Sequence, residues 1–93
     1  MTELERVVNI GAVLAGHLRK VGVADFEQLA EMGAFAAARR LEAAGMHDCT
    51  HAYLALEGAI AGVRWSRLPP ERRAELAECW RSRGADGMTE ATR

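Results

Sequence analysis

Apolar residues recur every three or four positions through most of this chain, and a glycine falls where several of the runs stop. Leu14, Leu18 and Val21 share one helical face and are followed by Gly22. Phe26, Leu29 and Met32 form a second stripe, opened by Asp25 as a helix N-cap and closed by Gly33. Phe35, Ala38 and Leu41 form a third, over about residues 34–44, with Arg39, Arg40 and Glu42 on the water side and Gly45 at its end. The next run has no polar side. From a cap at Asp48 to about Arg64, Tyr53, Leu54, Leu56, Ile60 and Val63 alternate with Ala55, Gly58, Ala59, Ala61 and Gly62. A helix apolar all round belongs at the centre of a domain. Gly58 and Gly62, one turn apart, predict that a second helix comes close there, since glycine otherwise weakens a helix interior. Pro69-Pro70 opens the last helix, with Glu71 at its positive pole, Leu76, Cys79 and Trp80 inward and Gly84 as the stop.

The N-terminal stretch is shorter and more polar. Thr2-Glu3-Leu4-Glu5 has the spacing of a capping box, a hydroxyl followed three residues on by a carboxylate, and predicts a short helix ending near Val8. Asn9-Ile10-Gly11 then reads as a tight hairpin, with Ile10 inward and Gly11 where positive φ or close backbone approach is cheap. No stretch alternates as a strand does. The expectation is an all-α domain of five to six helices containing a helix-hairpin-helix-like unit. Residues 1–84 form one domain and 85–93 a frayed tail.

Composition supports this picture and narrows the function. The 93 residues suffice for one domain, which by area scaling buries roughly 64% of its unfolded surface. Net charge is −1, with five basic and six acidic residues in 1–45 and seven of each in 46–93. Neither half is a basic footprint for nucleic acid. No run of apolar residues is long enough to cross a membrane, and the N-terminus lacks the pattern of a signal peptide. Cys49 and Cys79 do not make a disulfide framework. The expected location is the cytoplasm, with both thiols reduced.

Four segments carry a family resemblance: Asn9-Ile10-Gly11 with the helix after it; Gly22-Val23-Ala24-Asp25-Phe26-Glu27-Gln28-Leu29; Gly33-Ala34-Phe35 with Arg39-Arg40-Leu41; and Tyr53-Leu54-Ala55-Leu56-Glu57-Gly58-Ala59-Ile60, continuing through Gly62, Trp65, Leu68-Pro69 and Arg72-Arg73. Over about residues 4–80 the chain resembles the C-terminal domain of the TfoX/Sxy family, bacterial regulators of competence and DNA uptake. The last segment is the most specific of the four. Full-length members carry a further N-terminal domain, which has no counterpart in this sequence. The resemblance implies a regulatory domain without implying that this chain regulates competence.

Two surfaces compete as the functional one. Hairpins of this kind bind phosphates through backbone N–H groups and a helix N-terminus, helped by a nearby cation. The candidate contacts are Asn9, Gly11, Arg19 and Lys20. However, Asn9 stands where many DNA-binding examples have glycine, Val13 stands where they have lysine, and Arg19 and Lys20 are more than two turns away. Weak or no nucleic-acid binding is expected. The second surface is Arg64, Trp65 and Arg67 with Arg72 and Arg73, four arginines around one tryptophan, where Glu71 is the one offsetting acid. Arginine and tryptophan are enriched in protein-contact hot spots, and an arginine could stack on Trp65. Trp65 could equally plug the core, with the arginines simply solvated.

The reading that follows is a non-enzymatic interaction domain with a protein partner, a homodimer among the arrangements left open. Sequence-independent DNA binding is the alternative. Glu57 on the apolar helix reads as half of a structural ion pair with Arg39 or Arg40, with no second catalytic group beside it. His47, Cys49, His51 and Cys79 do not have zinc-ligand spacing. No catalytic residue, cofactor or metal is expected.

Overall fold

The computed structural model describes residues 2–46 and 50–83. Within them lie a 3-10 turn (Leu4–Arg6), α1 (Ala12–Lys20), α2 (Phe26–Met32), α3 (Ala34–Ala43), α4 (Thr50–Ala61), a second 3-10 turn (Trp65–Arg67) and α5 (Pro70–Arg81). The all-α expectation holds, and no strand occurs among the described residues. The cap expected at Asp48, the stop at Gly84, the tail, and His47 and Cys49 lie outside the described residues.

The all-round apolar run forms the centre. Ala52, Tyr53, Leu54, Ala55, Leu56, Gly58 and Ala59 of α4 are all buried. α3 packs against α4, as does α5, and α2 also reaches it. Leu4, Leu18, Leu29, Leu41 and Leu56 are fully buried around it. Beside them Tyr53 stacks on Trp80, ring centroids 5.4 Å apart, and Phe35 meets both rings edge-on at 5.6 and 5.8 Å. Each such pair adds about 0.5–1.5 kcal/mol beyond the area it buries. Arg83 fastens the end of this layer. Its guanidinium lies 4.0 Å over the Trp80 ring, donates to the Trp80 carbonyl at 2.6 Å and pairs with Glu42 of α3. The stripe expected on α5 is therefore Leu76 and Trp80 without Cys79, whose thiol is free and exposed.

The helix stops are as the glycines indicate. After α4, Gly62 takes φ 78°, the Gly62 N–H donates to the Ala59 carbonyl and the Val63 N–H reaches back to the Gly58 carbonyl at 2.9 Å. This is the glycine-terminated Schellman arrangement, and Gly22 and Gly45 close α1 and α3 in the same way. Gly62 is therefore not a packing groove. Nothing lies within 4 Å of the place a β-carbon would occupy there, and the helix expected to reach Arg64 ends at Ala61.

The N-terminus departs most from expectation. The expected capping box does not form, because each of its members has a better tertiary partner. The Thr2 N–H and hydroxyl donate to Glu27 at 2.7 and 2.9 Å, and Glu5 pairs with Arg19. What stands there is the single turn Leu4–Arg6, which fills the core through Leu4. The expected hairpin therefore has an α-helix on one arm only, α1. The box-like cap lies instead at α2. Asp25 accepts from the Gln28 N–H while the Gln28 side chain accepts from the Ala24 N–H, both at 2.9 Å.

Candidate interaction surface

Asn9 is the residue on which the candidate surface is built. Its φ of 72° is left-handed, a conformation asparagine tolerates better than most residues. That turn aims its amide at α4 and the loop that follows it. The Asn9 NH2 group donates to the Ala55 carbonyl at 3.2 Å and the Val63 carbonyl at 2.9 Å, and its oxygen accepts the Trp65 N–H at 3.2 Å. One side chain thus fixes the end of α4 and the start of the second 3-10 turn. Gly58 makes room for it. A β-carbon there would lie 2.6 Å from Asn9 Nδ2, 2.7 Å from the Val63 oxygen and 3.2 Å from the Trp65 nitrogen. The close approach expected at Gly58 is real, but what approaches is a side chain and a loop backbone.

Trp65 is held by this arrangement. Its backbone is bonded to Asn9, and the His51 ring of α4 meets its indole edge-on at 4.6 Å. The indole packs against the core while part of it stays accessible. Among the described residues no arginine stacks on it, and the arginine–tryptophan stack there is Arg83 on Trp80. Around Trp65, Arg64 and Arg67 are exposed. Arg72, in the first turn of α5, is exposed and lies 3.8 Å from Glu75. Arg73 is half-buried, with its Nε atom buried and without a hydrogen-bond partner.

A family model describing the TfoX C-terminal domain matches residues 1–79. The chain belongs to the TfoX C-terminal domain family. Among solved structures, an uncharacterized protein from Listeria monocytogenes is similar to it, with a TM-score of 0.79 and 33% identity over 85% of this chain and 90% of that one. A comparison with curated proteins finds no match.

In this TfoX C-terminal domain the four hairpin residues are not gathered in one place. Gly11 is the exposed N-cap of α1, with no side chain to cap it. Asn9, two residues before it, is turned inward onto α4. Arg19 and Lys20 lie at the far end of α1, about 12 Å away at 1.5 Å per residue. Arg19 forms a two-pronged pair with Glu5, while Lys20 is exposed. That pairing draws the Glu5 carboxyl down to about 2, the Arg19 hydrogen bond being the main cause. Glu42 is lowered chiefly by Arg83, and Glu27 by the Thr2 N–H.

Glu57 is not the ion pair its sequence context suggested. It accepts a 2.6 Å hydrogen bond from the Tyr53 hydroxyl one turn earlier on α4. Arg39 pairs with Glu42, and Arg40 donates to the Val21 carbonyl. The Tyr53 hydroxyl is pushed well above its ordinary range, first by burial and then by the Glu57 bond. Three roles were missed from sequence: Asn9 as the clip, Gly58 as its socket and His51 as the edge support of Trp65. Asparagine two residues before a helix-starting glycine, in a loop, was a usable signal for a left-handed turn. Nothing local pointed to its partners 46 to 56 residues away.

Proposed function

We propose that this chain is a non-enzymatic regulatory domain of the cytoplasm, acting in the control of competence or transcription through contacts with a protein partner. Membership of the TfoX C-terminal domain family supports the regulatory part. One observation supports the protein-contact part: Trp65 and its neighbours Arg64 and Arg67 are presented on a turn already fixed by Asn9 and His51. Binding costs less when the contacting groups are ordered beforehand, and tryptophan and arginine are the residues on which such contacts most often depend.

The test is site-specific photo-crosslinking in the native host. A photoreactive amino acid at Ser66, exposed between Trp65 and Arg67, should give a discrete protein adduct. The same group at exposed Glu31 on α2 should not. Absence of a Ser66 adduct would refute the reading. Micromolar binding to labelled duplex, steeply salt-dependent and lost when Arg19 and Lys20 become Ala, would put sequence-independent DNA binding in its place.

A further inference from the structure

Ten arginines lie among the described residues, and the molecule anchors seven of them. Arg6, Arg19, Arg39, Arg72, Arg81 and Arg83 each face a carboxylate within 4.0 Å, and Arg40 bonds a carbonyl. The three without such a partner are Arg64, Arg67 and Arg73, and all fall in one ten-residue stretch. An exposed unpaired arginine means little alone, since surface ion pairs contribute little. The location of these three adds to it. Arg72 and Arg73 occupy the first turn of α5, at the positive pole of the helix, where cations are disfavoured. Pro69, the N-cap there, provides no side-chain acceptor. Cationic side chains and a helix pole of the same sign thus fall within ten residues of chain around Trp65, with Glu71 the one acid among them, and Val63 leaves 39% of its surface exposed just before them.

The complement of such a surface is anionic and carries an apolar group. Duplex DNA has the charge but not the footprint. It presents a phosphate charge about every 1.7 Å, and Glu75 and Glu78 stand exposed on α5 beyond the arginines, with Glu71 among them in the first turn. A short segment that ends before Glu75 and Glu78 avoids their repulsion. We propose that the Arg64–Trp65–Arg67 turn, with Arg73 and the positive end of α5, binds a short acidic segment of a partner protein. Its carboxylates lie on the free guanidiniums and one apolar side chain lies against Trp65. This rests on the protein-contact reading above and narrows it to a partner chemistry.

The probe is a fluorescein-labelled peptide of aspartate and glutamate with one central leucine, titrated with the full chain and followed by anisotropy across a salt series. Binding should saturate and weaken as salt rises. The exposed pair Arg64→Ala/Arg67→Ala should weaken it about tenfold or more with an unchanged melting temperature. The peptide with serine for its leucine should also bind more weakly. Arg64→Glu/Arg67→Glu should lose the acidic peptide and gain a lysine-for-glutamate version of it, an exchange that a structural role for these arginines would not produce. No saturable binding, or an unchanged affinity in the alanine pair, overturns the inference. Duplex DNA bound more tightly than the peptide, with the same dependence on Arg64 and Arg67, reassigns the surface to nucleic acid. A Ser66 crosslink to a host segment that is not acidic leaves the protein-contact reading standing and refutes this one.

Discussion

Gly58→Ala sets two physical effects of opposite sign against each other, and the structure says which should win. In an ordinary helix interior the change adds stability, about 1 kcal/mol, because alanine loses less backbone freedom on folding. Here the added methyl would sit 2.6 Å from Asn9 Nδ2 and 2.7 Å from the Val63 carbonyl oxygen. The first neighbour can move only by giving up its bonds to Ala55, Val63 and Trp65. Each such bond contributes about 0.5–1.5 kcal/mol net. The second is backbone inside the hydrogen-bonded turn that closes α4. Overpacking of this kind costs about 1–3 kcal/mol, and loss of the three Asn9 bonds about 1.5–4.5 kcal/mol. If the clash is relieved by releasing Asn9, the expected outcome is a net destabilisation of about 0.5–3.5 kcal/mol after the propensity gain. In a domain of this size that lowers the melting temperature by roughly 4–8 °C per kcal/mol.

The companion variant is Asn9→Gly. It keeps the left-handed turn and removes all three side-chain bonds, so it too should destabilise, by about 1.5–4.5 kcal/mol. The two changes act on one contact, so the double variant should cost clearly less than their sum. Denaturant melts followed by circular dichroism read all three. Gly58→Ala more stable than the starting protein, as propensity alone requires, or strict additivity in the double variant, would refute the reasoning.

Leu56, fully buried on α4, should cost about 2–5 kcal/mol when replaced by Ala, and a loss within the error of a denaturant melt would show that α4 is not the centre. Gly62→Ala should destabilise by about 1 kcal/mol through its φ of 78° alone, since there is open space around it; a gain in stability would contradict that conformation. The Glu5 carboxyl is held down at about 2 by Arg19, so its contribution is full above the ordinary carboxylate range and disappears as pH falls from about 4.5 toward 2. Thermal melts over that range should show a shallower loss of stability in Glu5→Gln than in the parent protein, and identical slopes would dissociate the pair from stability.

What sequence reveals here follows the distance over which each feature is determined. The stripes of α1, α2 and α3, the cap at Asp25 and the stops at Gly22, Gly33 and Gly45 are set by residues within one turn of each other, and they were legible; the stop at Gly62 is equally local but was read as a packing position inside a longer helix. So was the central place of α4, because an apolar surface on every side leaves no face for water. The N-terminal segment was misread for the converse reason. The capping-box spacing of Thr2 and Glu5 is real, but each has a tertiary partner from another element, Glu27 and Arg19. Glu57 was assigned a distant cation when its partner is Tyr53, one turn away on the same helix. Cys79 was placed on the buried stripe of α5, yet only Leu76 and Trp80 are buried there and Cys79 is exposed.

The fate of Asn9 also bears on how the two candidate surfaces relate. A hairpin that grips phosphate needs its loop free to face outward. Here the polar group of the first hairpin position is committed to Ala55, Val63 and Trp65, and the nearest cation on α1 is tied to Glu5. What remains outward at the start of α1 is the uncapped backbone after Gly11 and the Val13 side chain, 70% exposed. Charge supplies most of sequence-independent affinity for nucleic acid, and that end of α1 has no cation in its first turn. The same three hydrogen bonds that draw Asn9 inward fix the backbone of Trp65 beside Arg64 and Arg67. The residue that distinguishes this hairpin from a glycine-rich one thus supports the neighbouring Trp65 turn, and a change at Asn9 should be felt first at Trp65.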